Sequence, residues 1–245
     1  MKPGLDSVGT VTRNGLSAGE RITAAFEVFT VAFAGSFSSQ IAFSSLGYSG
    51  GDILAEARLL FIFLISEATV SLILIYLFLR LRGENFRTLG LKLEEGWPET
   101  WTGIVSVPFL FLTTHFVGLS FQSFFPEFVS PHNPILDLLR SKGDLTLFLI
   151  SSFYVGGLKE EIQRAFVLVR FERFLGGIWQ GLILWSLFFG IGHQTQGVDK
   201  AVGAGVLGLL FGLLYIWRRR LTGPVLAHTL FDVITLFTFW TFMRL

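Results

Sequence analysis

Apolar runs long enough to cross a bilayer recur along this chain, separated by short polar breaks rich in glycine and proline. About 20 apolar residues span roughly 30 Å of hydrocarbon. By that measure the pattern predicts seven helices, at residues 22–47, 57–81, 102–125, 145–170, 177–194, 201–217 and 223–243. The breaks carry turn chemistry: Gly50-Gly51-Asp52, Arg82 to Trp101, Pro126 to Gly143, Gly176-Gly177 and Thr222-Gly223-Pro224. Within the third of these connections, Leu136 to Arg140 fits a short interfacial helix. The expected fold is therefore all-α, a polytopic membrane helix bundle forming one transmembrane domain over residues 22–245. The polar stretch Met1 to Arg21, rich in Gly, Ser and Thr, lacks the basic-apolar-small order of a cleaved signal and reads as a disordered tail.

Composition agrees with that pattern. The chain is 51% hydrophobic with 28 Phe and only 15% charged, and its mean hydropathy is +0.62; soluble domains carry about 25% charged residues. A net charge of +1 offers no basic field for nucleic acid, and the absence of Cys excludes disulfides, thiolate catalysis and Cys-ligated metals. Lys and Arg set the expected orientation. With the N-terminus cytoplasmic, one side collects Lys2, Arg13, Arg21, Arg80, Arg82, Arg87, Lys92, Arg170, Arg173 and Arg218 to Arg220, and the other Arg58, Arg140, Lys142, Lys200 and Arg244. The expected location is the cytoplasmic (inner) membrane.

Against this background the stretch Gly157-Leu-Lys-Glu-Glu-Ile-Gln-Arg-Ala-Phe166 is anomalous, with four charges inside an otherwise apolar span. Each Asp, Lys or Arg near the centre of a spanning helix costs about 2.5–3.5 kcal/mol, so such residues face a partner or a wet cavity. Glu160 and Arg164 are four residues apart on the fourth predicted helix, and His228 and Asp232 on the seventh, which places each pair on one helix face. His193 lies one turn after Phe189 on the fifth. At 1.5 Å per residue, Glu160 is ~15 Å and His228 ~12 Å from the Arg-rich end, and His193 ~20 Å, a layer that modest helix tilt would align. The inner-half depth of Glu160 and His228 points to access from the cytoplasmic side.

A carboxylate beside an imidazole can deprotonate water, and a second imidazole with a carboxyl neighbour can stabilise the oxyanion formed when that water adds to a carbonyl. The same residue types suit Zn²⁺ held by His193 and His228 with carboxylates, the metal then activating the water. Residue types leave both mechanisms open.

The ordered set Glu160-Glu161 with Arg164, Phe189-x-x-x-His193 and His228-x-x-x-Asp232 resembles the three motifs of the CAAX-protease and bacteriocin-processing family of intramembrane endopeptidases, over residues 145–243. The resemblance implies hydrolysis of a membrane-associated peptide or protein within the lipid bilayer, with the glutamate and His193 activating water, His228 and Asp232 binding the oxyanion, and Arg164 structuring the site. Prenylated C-termini, peptide maturation and bacteriocin self-immunity all fall within its range. The family places three residues between the glutamate pair and the arginine; here Ile162 and Gln163 are two. Anchored on Arg164, the alignment puts Lys159 at the first glutamate position and implies an inactive membrane scaffold. Anchored on the carboxylates, it leaves Glu160 or Glu161 as base, with Glu160 favoured by its i,i+4 spacing to Arg164. A π-bulge would also restore the register.

Other readings stand beside this one. The four charges could neutralise one another as a structural network, or the intramembrane Glu, His and Asp could form the relay of a proton-coupled transporter, although no inverted repeat supports it. Glu27 reads as a helix-end residue near the interface, Glu67 as a partnered interior carboxylate, Arg218-Arg219-Arg220 as a plain cytoplasmic anchor and His132 as solvated. His115 is a candidate for lining the cavity.

Overall fold

The protein was analysed as a computed structural model that describes residues 16–92 and 96–243. Among the described residues the structure is helical, with no strand: α1 (Ala18–Ser45), α2 (Gly50–Ala55), α3 (Ala57–Leu81), α4 (Gly96–Phe124), α5 (Lys142–Ser151), a π-helical stretch (Ser152–Glu160), α6 (Glu161–Phe174), α7 (Ile178–Gly192), α8 (Val198–Arg218) and α9 (Thr222–Thr238), the last continued by π turns over Phe239–Met243. The expected tail at residues 1–21 lies outside the described residues up to residue 15, and its end is corrected. Helix α1 begins at Ala18 because Ser17 and Glu20 form a capping box, the Glu20 amide donating to Ser17 Oγ at 3.2 Å and the Ser17 amide to the Glu20 carboxylate at 2.7 Å.

Length and apolarity mark five membrane-crossing helices among the described residues, at Ala18–Ser45, Ala57–Leu81, Trp97–Phe124, Val198–Arg218 and Thr222–Phe242. The other two expected spans are present as helix but fall short of that measure, each for a physical reason. Helix α7 has 15 residues, about 22 Å of rise. The rod formed by α5, the π stretch and α6 runs unbroken from Lys142 to Phe174, but the charges of its centre interrupt the apolar window. The Leu136–Leu138 stretch is a 3₁₀ turn, shorter than the interfacial helix expected there.

The bundle is apolar outside and charged inside. Phe26, Phe29, Phe33 and Phe37 of α1 face outward, whereas the two largest fully buried side chains are Arg164 and Arg170. Helix α6 is the central rod: Glu161 to Arg170 are buried without interruption, packed among Val31 of α1, Ile75 and Leu79 of α3, Leu182 and Trp185 of α7 and Tyr215 of α8. A helix buried on every side presents its polar groups only to other helices, so each must find a partner there or a cavity.

Toward its C-terminal end α6 finds partners. Arg170 Nε donates to Glu27 of α1 at 2.6 Å, Arg82 after α3 to the other oxygen of Glu27 at 2.6 Å, and Arg170 and Arg173 to Glu84 at 2.8 and 2.5 Å. Glu27 is thus a buried three-helix clamp rather than an interfacial helix end. Nor are the arginines after α8 plain anchors: Arg218 pairs with Glu99 at 2.5 Å, and Arg219 grips Glu172 with two bonds of 2.6 and 2.7 Å.

Candidate active site

At the other end of α6 the arrangement differs. The π stretch, with its wide turns, delivers Glu160 and Glu161 side by side but pointing apart. Glu161 is buried and binds the Arg164 guanidinium one turn on. It also accepts from His228 Nδ1 at 2.7 Å, which leaves Nε2 of that ring aimed elsewhere. Glu160 Oε2 stands 3.7 Å from this Nε2, and Asp232 Oδ2 stands 3.8 Å from it. Two carboxylates therefore face one imidazole nitrogen at distances beyond a direct hydrogen bond.

Two glycines make this approach of α9 feasible. A Cβ at Gly156 would lie 2.6 Å from Asp232 Oδ2, and one at Gly157 would collide with the Thr229 hydroxyl and sit 3.2 Å from the Val225 carbonyl. Aromatic rings fix the remaining pieces. Phe211 of α8 stacks on His228 with centroids 4.4 Å apart and planes 16° from parallel. The Arg164 guanidinium lies 5.0 Å from the Phe189 ring and 5.4 Å from that of Phe211. His193, the residue that ends α7, binds the Phe189 carbonyl through Nδ1 at 2.8 Å. The Nδ1–H is the donor there, so the Nε2 lone pair is the free one.

Glu160, His193, His228 and Asp232 all line one cavity of about 790 Å³, within the size range of small-ligand and substrate sites, roughly 300–1,000 Å³. Its walls give its direction. Along the motif rod the lining residues run from Phe148 through Ser152 and Gly156 to Glu160, along α9 from Leu236 and Thr235 to His228, and along α8 from Lys200 through Gly203 and Leu207 to Phe211. The floor is Glu160, His228 and Phe211, and the rim is Ser130, Asn133, Gln196 and Lys200. These lining residues lie on the side of Glu160 away from the Arg-rich end.

The remaining expectations sort cleanly. Lys159 does not line this cavity. It turns to α3 and pairs with Glu67 at 2.8 Å, both side chains being buried. Glu67 is thus a partnered interior carboxylate, with Ser36 and Ser71 hydroxyls at 3.4 and 3.5 Å. The register device is present as the π stretch immediately before Glu161, not between the carboxylates and Arg164. His115 is exposed on α4 in a shallow groove with Phe111 and Leu119 and is not part of the cavity lining, while its neighbours Thr114 and Gly118 are. His132 is exposed in the connection before α5. Sequence reasoning missed Gly156, Phe211, and the rim residues Asn133 and Gln196, which bind each other at 3.1 Å. The double glycine next to the charged stretch was the one available signal.

Residues 142–234, the stretch that carries all three motifs, match the family model described as type II CAAX prenyl endopeptidase Rce1-like. That stretch is similar to the family over less than half of the chain. Comparison with curated proteins and with solved structures gives no match. The CAAX-protease family is one of membrane endopeptidases, and the apolar helices agree with an integral membrane protein. Zinc was tested on the donor set: no group of three or more His, Asp or Glu among the described residues is placed to share a metal ion. The Nδ1 atoms of His228 and His193 are already committed, to Glu161 and to the Phe189 carbonyl. The donor set does not fit a closed zinc site.

Proposed function

We propose that the chain is an intramembrane endopeptidase in which Glu160 and His193 activate a water and His228 with Asp232 stabilises the oxyanion. The observation that carries this reading is the convergence of Glu160, Asp232 and His228 Nε2 on one cavity floor, at spacings that admit a bridging water where direct ion pairs would have closed. Water bound to the Glu160 carboxylate loses its proton to Glu160 or to the free Nε2 of His193 as its oxygen adds to the scissile carbonyl. The carbonyl oxygen becomes an oxyanion. His228, held by the Glu161 carboxylate at Nδ1, donates to it from Nε2 as an imidazolium, and Asp232 donates as a neutral acid. The tetrahedral adduct then collapses, the C–N bond breaks, and the stored proton passes to the leaving amine.

Glu161 and Arg164 hold His228 in place in this scheme and do not touch the substrate. Lys159 pairs away from the floor, which favours the carboxylate-anchored alignment over the scaffold reading. The orientation that goes with it has the N-terminus in the cytoplasm of a cell whose inner membrane holds the protein. The test uses purified protein in proteoliposomes and a quenched fluorescent peptide bearing a lipid anchor. Glu160→Gln and His193→Ala each abolish cleavage while the helical content and thermal unfolding stay as in the parent. Cleavage retained in both variants overturns the reading; substrate flux that depends on the same residues, without cleavage, returns the transporter.

A further inference from the structure

We infer that the groove between the first turns of α1 and the end of α3 binds one aminophospholipid, a zwitterionic lipid whose headgroup carries a phosphate and a primary ammonium. The inference stands apart from the peptidase reading, since none of the groove residues lines the reaction cavity.

The groove holds about 650 Å³, and its lining includes Ser17, Glu20, Phe26, Glu27, Phe78 and Arg82. It lies where both helices leave their apolar spans, α1 starting its span at Ala18 and α3 ending at Leu81. That is the level of the lipid headgroups. Its flank faces lipid, because Ile22, Phe26 and Leu81 are exposed apolar side chains. Phe26 and Phe78 meet edge-on with centroids 6.4 Å apart, an apolar wall for the upper part of an acyl chain.

The rest of the lining carries both signs of charge. Arg82 is held from two sides: its Nε donates to Glu27 at 2.6 Å, and its guanidinium lies 4.5 Å from the centre of the Phe174 ring. Its Nη2 is buried with no hydrogen-bond partner. A buried donor left unpaired is costly, and a guanidinium fixed in place suits phosphate oxygens. Glu20 accepts from the Ser17 amide and hydroxyl at 2.7 and 2.9 Å, both through Oε2, and Oε1 has no hydrogen bond among the described residues. Two carboxylates and one guanidinium therefore border the groove. A headgroup matches them when its phosphate accepts from Arg82 and its ammonium donates to Glu20. A quaternary ammonium has no N–H to donate, and a purely anionic headgroup meets carboxylates of its own sign. Arg82 and Glu27 also belong to the network around Arg170. A lipid seated here thus braces the contact of α1 and α3 with the central rod, and its binding raises stability.

The test uses the full chain in detergent, with native mass spectrometry and thermal unfolding in the presence of phosphatidylethanolamine, phosphatidylcholine or phosphatidylglycerol of identical acyl chains. One phosphatidylethanolamine is expected to bind at least tenfold more tightly than either other lipid and to raise the thermal midpoint. Glu20→Gln keeps an oxygen for the Ser17 amide and removes the charge. It brings phosphatidylethanolamine to within about twofold of phosphatidylcholine at unchanged helical content, whereas Glu127→Gln, at an exposed carboxylate outside the groove, keeps the parental preference. Equal retention of the three lipids means an annular lipid only and overturns the inference. So does a preference for phosphatidylglycerol, or a phosphatidylethanolamine preference that survives Glu20→Gln or is lost equally in Glu127→Gln. A preference seen only after deletion of residues 2–13 gives the groove to the chain's own N-terminal segment and overturns it as well.

Discussion

One helix, α6, carries two buried charge clusters about 15 Å apart along its axis, and they are resolved in opposite ways. Around Arg170 every carboxylate meets a guanidinium at 2.5–2.8 Å, and five side chains from three chain segments form one network. Around Glu160 the carboxylates of Glu160 and Asp232 stop 3.7 and 3.8 Å short of His228 Nε2 and face open volume. A buried charge is costly in either setting. In the first the cost is offset by pairing: both oxygens of Glu27 and of Glu84 meet guanidinium nitrogens, and what is left over is one nitrogen each on Arg82 and Arg170. In the second a base, an acid and an imidazole are left with unused hydrogen-bonding capacity at the floor of a cavity. Burial of charge alone therefore does not distinguish the two clusters; incomplete pairing beside accessible space does.

The largest test of that contrast exchanges the consequences of removing one carboxylate from each cluster. Glu160→Gln lowers the rate of peptide cleavage by about 10²–10⁴-fold, the usual worth of a positioned general base, and leaves the thermal midpoint unchanged. Glu27→Gln does the reverse: it takes the carboxylate from Arg82 and leaves Arg170 with Glu84 alone, at a cost of about 3–5 kcal/mol of stability, while any protein that remains folded turns over at the parental rate. Thermal unfolding in detergent measured beside single-turnover cleavage separates the two. A stable but inactive Glu27→Gln, or an unfolded Glu160→Gln, breaks the comparison.

A smaller effect is expected at Asp232, where the role is donation of one hydrogen bond. Asp232→Ala removes the donor and slows cleavage about 10²-fold, the lower end of what one oxyanion donor contributes. Asp232→Asn keeps a donor at nearly the same position and stays within about tenfold of the parent. Because Asn donates at any pH whereas the carboxyl donates only when protonated, the Asn variant also holds its rate further into the alkaline range. Equal loss in both variants would remove Asp232 from the oxyanion role.

How much of this was legible in the sequence depended on the range of the information. The helices follow from local apolar runs; Glu160 stood out as one of four charges gathered in such a run, His228 and Asp232 as a pair at i,i+4, and His193 by its place one turn after Phe189. Their gathering at one cavity was foreseeable only as compatible depth. The partners of Glu27 were not legible, since Arg82 and Arg170 lie 55 and 143 residues away and nothing local distinguishes a clamped carboxylate from an interfacial one. Phe211 was hidden among 28 phenylalanines. Which helix walls enclose the cavity was not legible either, because it is set by packing between helices. The two-residue spacing before Arg164 raised the choice between Lys159 and Glu160. The sequence alone could not settle which of them turns toward α3, because the wide turns of the π stretch decide it.

Lys159 and Glu67 lie between the two clusters in kind as well as in space, and they supply the finest test. They form one saturated pair at 2.8 Å, like the Arg170 network, yet Lys159 immediately precedes the residue that must face the cavity. If the pair only neutralises buried charge, replacing both members with apolar side chains of similar size, Lys159→Met with Glu67→Leu, leaves stability within about 1 kcal/mol, as for other buried pairs exchanged for packing groups. Lys159→Met alone, which leaves Glu67 with the more distant Ser36 and Ser71 hydroxyls, costs more than the double variant. Activity separates neutralisation from positioning. A pair that fixes the rotation of the motif rod loses kcat in the double variant at unchanged stability and regains it in the charge-reversed Lys159→Glu with Glu67→Lys. A pair that only neutralises keeps kcat in both. The single salt bridge is expected to position: the π stretch leaves the rod without a regular α-helical register just before Glu160, and Lys159 is the polar tie that turns it.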